Sequence, residues 1–160
     1  MAVVNLKSPL VTNDDAVPPT KNAVTDDRGR VRNMVATLET NADDSIASVY
    51  RFFRIRSNWR LLGLYIKCDA IATAPAADIG LYRTATDGGA VVDADCYATA
   101  VLLSSAITTA ELNQLYEVRG VEKIANKVWQ DAGATADPLI DYDLALTLTR
   151  STPKEPELSS

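Results

Sequence analysis

Histidine is absent from all 160 residues. That absence removes Ser-His and Cys-His catalysis, histidine general bases and the histidine-containing zinc and iron sites. Cysteine is nearly absent too: Cys68 and Cys96 stand alone, too few for a disulfide scaffold and not in a CxxC arrangement. Both read as free thiols, with a bond between them left open only for a protein that ends up outside the cell. No apolar run approaches the roughly 20 residues needed to cross a bilayer. The opening MAVVNLKSPLVTNDD lacks the basic end and long apolar centre of a secretory signal, so the expectation is a chain made in the cytoplasm. Positive charge is in deficit, with 16 Lys plus Arg against 21 Asp plus Glu and a formal net of -5. A protein that binds nucleic acid by neutralising phosphates is thereby disfavoured. What remains, 47% hydrophobic and 23% charged residues, is the composition of one ordinary domain.

Three stretches differ in character. Residues 1–30 hold Pro9, Pro18, Pro19 and the acidic pairs Asp14-Asp15 and Asp26-Asp27, with no sustained apolar period. Such a stretch buries too little to offset its ordering entropy, and reads as an extended arm. Its scattered apolar side chains, among them Leu6, Leu10 and Val11, point to ordering against a partner. Residues 31–150 form the body. Residues 151–160 read as a short polar tail, in which Pro153 and Pro156 oppose a strand.

The body is written mainly in the period of a β-strand. Its clearest strand spans residues 140–149, where Ile140, Tyr142, Leu144, Leu146 and Leu148 alternate with Asp141, Asp143, Ala145, Thr147 and Thr149. Further strands are expected over 59–72, 45–55 and 78–84, and a weaker one over 31–38. Ser57-Asn58 and Thr86-Asp-Gly-Gly supply turns. Residues 90–105 fit either helix or strand, and residues 108–116 fit a helix, a strand or a loop. Over residues 120–133, Val121, Ile124, Ala125 and Val128 repeat at helical spacing before Gly133, which predicts one short amphipathic helix. Many strands with one helix and an extended N-terminal arm describe a mainly β protein, an antiparallel β-sandwich of jelly-roll type.

Few residues carry chemistry. Asp93 with Asp95, and Asp141 with Asp143, place carboxylates two apart, which in an extended chain would face one side and could contribute to a hard-cation site. No EF-hand spacing accompanies them, and the alternation over 140–149 reads Asp141 and Asp143 as the solvated face of a strand. A two-carboxylate glycosidase has no feature in its favour, and Thr86-Asp-Gly-Gly lacks the lysine of a phosphate loop. No catalytic, cofactor-binding or metal-binding residue is assigned. The most unusual composition is Arg51-Phe-Phe-Arg-Ile-Arg-Ser-Asn-Trp-Arg60, where Arg51, Arg54, Arg56 and Arg60 alternate with aromatic and aliphatic side chains. This pattern suits a strand face guarded against edge pairing, or a protein interface rich in arginine and aromatics. Stacking on single-stranded nucleic acid would use the same residues, but the net charge opposes it.

Gly29-Arg-Val-Arg32 after the arm, Asp78-Ile-Gly-Leu-Tyr82 before Thr86-Asp-Gly-Gly-Ala-Val-Val-Asp93, Val121-Glu-Lys-Ile-Ala-Asn-Lys-Val-Trp129 and Tyr142-Asp-Leu-Ala-Leu-Thr-Leu-Thr149 follow one another along the chain. This order resembles the head decoration, or cement, proteins of tailed bacteriophages, small structural proteins encoded beside the major capsid protein. The resemblance covers most of residues 29–149 and transfers no functional residue. It implies a non-enzymatic β-sandwich on the outer surface of the virion head, with the major capsid protein and copies of itself, as a trimer or dimer, for partners. No membrane, nucleic-acid or cofactor partner is implied. From the residues themselves, Leu6, Leu10, Val11, Arg51, Arg54, Arg56 and Arg60 are the expected capsid contacts. Two other readings stay open: another virion component such as a tail, neck or fibre-associated adaptor, and a sugar- or Ca²⁺-binding β-sandwich using Asp93 and Asp95.

Overall fold

A computed structural model of the chain describes residues 7–22, 30–39, 46–70, 76–103, 106–107, 115 and 118–150. The chain divides into two compact units, Met1–Val35 and Ala36–Ser160.

The first unit carries a short helix, α1 (Pro9–Asp14), where an extended arm was expected. The reason is local. Ser8 takes the N-cap position and its hydroxyl accepts a hydrogen bond from the Val11 amide, while Pro9 begins the first turn, where its missing N–H costs nothing. Beyond the helix, the Asn13 carbonyl accepts the Thr20 amide at 2.9 Å and the Asn13 side chain donates to Asn22 at 2.8 Å. Lys7 pairs with Asp15 at 2.6 Å across the turn. Val11 lies on this helix, half exposed. Leu10 is part of the same helix, and Leu6 lies outside the described residues.

The second unit is built on one four-stranded antiparallel sheet among the described residues: β1 (Val49–Arg56), β2 (Ala76–Arg83), β3 (Val91–Leu102) and β4 (Asp141–Arg150), in the order β1-β4-β2-β3. The fold is mainly β. Residues 90–105, ambiguous by composition, contain a strand because β2 and β3 form a hairpin. Its turn is a 3₁₀ turn at Ala85–Asp87 followed by Gly88 and Gly89, both at positive φ that glycine adopts without strain. The last strand was the best predicted, and it occupies the centre of the sheet. Its Tyr142, Leu144, Leu146 and Leu148 meet Ile55 and Phe53 of β1 and Leu81, Ile79 and Ala77 of β2 in register. All of these except Phe53, which packs against them half-buried, are the heart of the core, joined by Tyr97, Leu103, Leu115 and Val128. Each such side chain taken out of water contributes about 1.5–3 kcal/mol.

Other expectations are corrected. Residues 59–70 form no continuous strand; Cys68 pairs with Ile107 in an isolated antiparallel bridge. Leu61, Leu64, Ile66 and Cys68 nevertheless pack against the core, whereas Leu62 is half exposed. Residues 31–38 form no strand. The helix expected over 120–133 is broken into a 3₁₀ turn at Val121–Lys123 and a four-residue helix, α2 (Val128–Asp131). Val128 is fully buried, but Val121 and Ile124 face solvent, so their helical spacing does not mark a buried face. Backbone pairing explains the break: the Val128 amide donates to the Trp59 carbonyl and the Trp129 amide to that of Ser57, which seats α2 against the turn after β1. Expectations over 71–75, 108–114 and 151–160 lie outside the described residues. Among the described residues no helix is long and apolar enough to cross a membrane.

The β2–β3 hairpin is not a plain ladder. Between the pairs Ile79↔Ala98 and Leu81↔Asp93 the register jumps, and β3 bulges away from β2. The bulge folds its own backbone down on Gly80, where a Cβ would run into the Asp93 carbonyl oxygen and the Ala94 backbone. Gly80→Ala is therefore expected to destabilise the protein by about 3 kcal/mol, the upper range for overpacking, because only backbone atoms stand in the way. Chemical denaturation of the two proteins reads this directly; equal midpoints would show that the bulge yields.

Candidate functional site: the arginine face and the Asp93 cleft

β1 departs from strict alternation at one point. Arg51 pairs with Ala145 and Phe53 with Leu144, so Phe52 is an extra residue opposite β4. Residues 51 and 54 would lie on opposite faces of a regular strand. With Phe52 inserted, both arginines face the side of the sheet that carries Asp143, to which Arg54 is the direct register partner.

Asp143 is consequently not the solvated residue that the alternation implied. Its side chain is 7% exposed, because β4 has β1 on one side and β2 on the other. Two guanidinium groups compensate the buried charge. Arg51 Nη1 donates to Asp143 Oδ2 and Arg54 Nε to Asp143 Oδ1, each at 3.0 Å. Arg51 does more: Nη1 also donates to the Arg83 carbonyl at 2.8 Å, Nη2 donates to the Gly89 carbonyl at 2.9 Å, and the group stands 5.2 Å from the centroid of Tyr82. It staples β1 to the end of the β2–β3 hairpin across the central strand. The Arg54 guanidinium is held above its ordinary pKa, first by the hydrogen bond to Asp143 and then by the charge of that carboxylate.

The four arginines singled out from sequence therefore differ. Arg51 is largely committed to internal contacts. Arg54 shares Asp143 but keeps more than half of its side chain in solvent. Arg56 is exposed, opposite Asp141 in the register, and Arg60 is half buried beyond the turn.

The second constellation lies at the β3 bulge, where a cleft of about 160 Å³ is lined by Asp93, Asp95 and Cys96 of β3 and by Arg119, Asn126 and Asp131 of the 118–131 segment, among others. Arg119 and Asp131 form an ion pair at 3.4 Å with side chains 1% and 3% exposed. Arg119 Nη2 donates to the Lys123 carbonyl at 2.7 Å. Asp131 accepts from the Tyr97 hydroxyl at 3.1 Å and from the Asn126 amide at 3.3 Å, and the Arg119 guanidinium stands 5.7 Å from the Tyr97 ring centroid. This network braces β3 to α2. Burial holds the Tyr97 hydroxyl well above its usual pKa, and it pushes the neighbouring Cys96 thiol up as well, with Asp93, Asp131 and Asp95 adding to the effect. Both cysteines are free, and Cys96 stays a protonated thiol rather than a nucleophile.

Asp93 and Asp95 do come together, on the exposed rim. Asp95 binds its proton more tightly than usual, chiefly because its carboxyl hydrogen-bonds to that of Asp93. Among the described residues no group of three His, Cys, Asp or Glu side chains is placed to hold a metal ion. Sequence reasoning passed over Tyr97, Arg119 and Asp131, which stand in no pattern of their own and meet only through the fold. Compared with protein-family models, curated proteins and solved structures, the chain matches none.

Arg51→Ala is expected to cost about 2 kcal/mol, the scale of a charged hydrogen bond removed from a buried partner, and Arg54→Ala less than about 1 kcal/mol. Thermal denaturation distinguishes them; equal losses would refute the staple role of Arg51. At the rim the sign follows from the raised pKa of Asp95. Its proton stabilises the folded form at low pH, and that contribution is lost as pH rises through the folded-state pKa, leaving two facing carboxylates. Asp95→Asn should therefore raise the melting temperature at pH 7 and leave it unchanged near pH 3.

Proposed function

We propose that this chain is a non-enzymatic virion structural protein that binds the outside of an assembled phage capsid and stabilises its lattice. The observation that carries this reading is the set of apolar side chains left in solvent outside the sheet. Val11, Val17, Val31 and Val35, all in the first unit, are exposed, Val17 at 97%. Isolated apolar residues on a surface need no explanation, but several of them on the segments that precede the sheet fit a surface that becomes covered on assembly. The resemblance to head decoration proteins supports the same reading. So do the exposed Arg54 and Arg56, which are suited to charge-assisted hydrogen bonds with carboxylates of a shell protein. Leu6, Leu10 and Arg60 belong to the proposed contact set; Arg51, held by Asp143 and two backbone carbonyls, is better placed as a scaffold for Arg54 than as a contact.

Mechanistically, a protein that binds the assembled lattice more tightly than its separated subunits stabilises the lattice by linkage, and many weak copies suffice where the lattice presents many equivalent sites. The jelly-roll sandwich that the resemblance implies belongs to this proposal. So do association with copies of itself and a location on the outer head surface.

The test is to add the purified protein to heads that lack it and to measure occupancy and heat-induced leakage of packaged DNA. The unaltered protein should bind and raise the leakage temperature, and Arg54→Glu/Arg56→Glu should bind less. Failure of the unaltered protein to bind heads would overturn the reading.

A further inference from the structure

Residues 30–39 lie in no helix or strand and are exposed along their whole length. Within them Val31, Met34, Val35 and Leu38 are 73%, 42%, 86% and 45% exposed. Their spacing is i, i+3, i+4, i+7. On a helix, these four side chains fall within an arc of about 100°. On a strand, Val31 and Val35 would face one side and Met34 and Leu38 the other, which is why a strand reading of this segment fails to collect an apolar face.

The segment also has identifiable reasons not to be a helix alone. The apolar repeat covers only the eight residues from Val31 to Leu38, below the length at which an isolated helix holds in water, and Val31, Val35 and Thr37 are β-branched. Its charges sit at the wrong ends, Arg30 and Arg32 toward the N-terminus and Glu39 at the C-terminus, opposing the helix dipole. A partner that covers the apolar face and places a carboxylate beside Arg30 would remove both obstacles.

We propose that residues 30–39 are a recognition segment that folds into an amphipathic helix on docking into an apolar groove with an acidic rim on the shell protein. The inference rests on the shell-binding reading and deepens it by naming the docking element and the chemistry of its receptor. A protein groove suits the segment better than a lipid surface, because its apolar face is narrow and contains no aromatic anchor.

Hydrogen–deuterium exchange on the intact chain, free and bound to heads lacking it, tests the proposal. Amides of residues 34–39 should exchange rapidly in the free protein and at least about tenfold more slowly on heads. Val35→Pro should lower the apparent affinity about 100-fold with the melting temperature of the free protein unchanged, and Val35→Ala should lower it less. If the unaltered protein binds heads while these amides stay fast, or while Val35→Pro binds equally well, the docking helix is refuted and shell binding stands. If the unaltered protein does not bind heads, shell binding fails and the docking helix with it. Protection that arises instead on phosphatidylglycerol vesicles, or in the free protein at high concentration, would assign the segment to lipid or to a second copy and overturn the proposal.

Discussion

A single buried carboxylate sets the terms for the sheet. Asp143 sits on the central strand with strands on both sides, and burying its charge is tolerable only with compensating cations and hydrogen bonds. The compensation comes from β1, and it depends on the extra residue at Phe52, which turns Arg51 and Arg54 to the same face. One irregularity in an edge strand thus satisfies the charge in the middle of the sheet. Through the two further carbonyls that Arg51 reaches, it also ties down the β2–β3 hairpin turn.

The other irregularity has a complementary effect. The bulge in β3, possible because Gly80 has no side chain, turns Asp93 and Asp95 to an exposed rim and places Tyr97 over the Arg119–Asp131 pair. The acidic residues of the body accordingly serve opposite ends. Asp143 and Asp131 are buried acceptors that hold strands and segments together, whereas Asp93 and Asp95 face each other on the rim, where the neighbouring carboxyl makes Asp95 hold its proton more tightly than usual. Cys96, held protonated by the same surroundings, adds packing rather than reactivity.

With these polar groups committed to the scaffold, the surface elements left for a partner lie elsewhere: the exposed guanidinium groups of Arg54 and Arg56, and the apolar side chains of the segments that precede β1. The proposed capsid-binding role uses both. It assigns the sheet to rigidity and the leading segments to attachment, the division expected where ordering entropy is offset only upon binding.

Alternation over 140–149 identified β4 and its buried side chains, because a two-residue period is a local property that survives into the fold unchanged. The turn at Thr86-Asp-Gly-Gly was legible for the same reason, since positive φ is a demand on individual residues. The helical turn after Ser8-Pro9 was not expected, although a serine before a proline is a local cap pattern. Tertiary structure alone decided which strand is central and which residues stand opposite an inserted Phe52. It also decided whether Asp143 meets water or two arginines, and whether Val121 and Ile124 find a surface to cover. Those outcomes turn on neighbours distant in sequence: a period records which residues share a face, whereas burial and pairing depend on what the rest of the chain brings to that face.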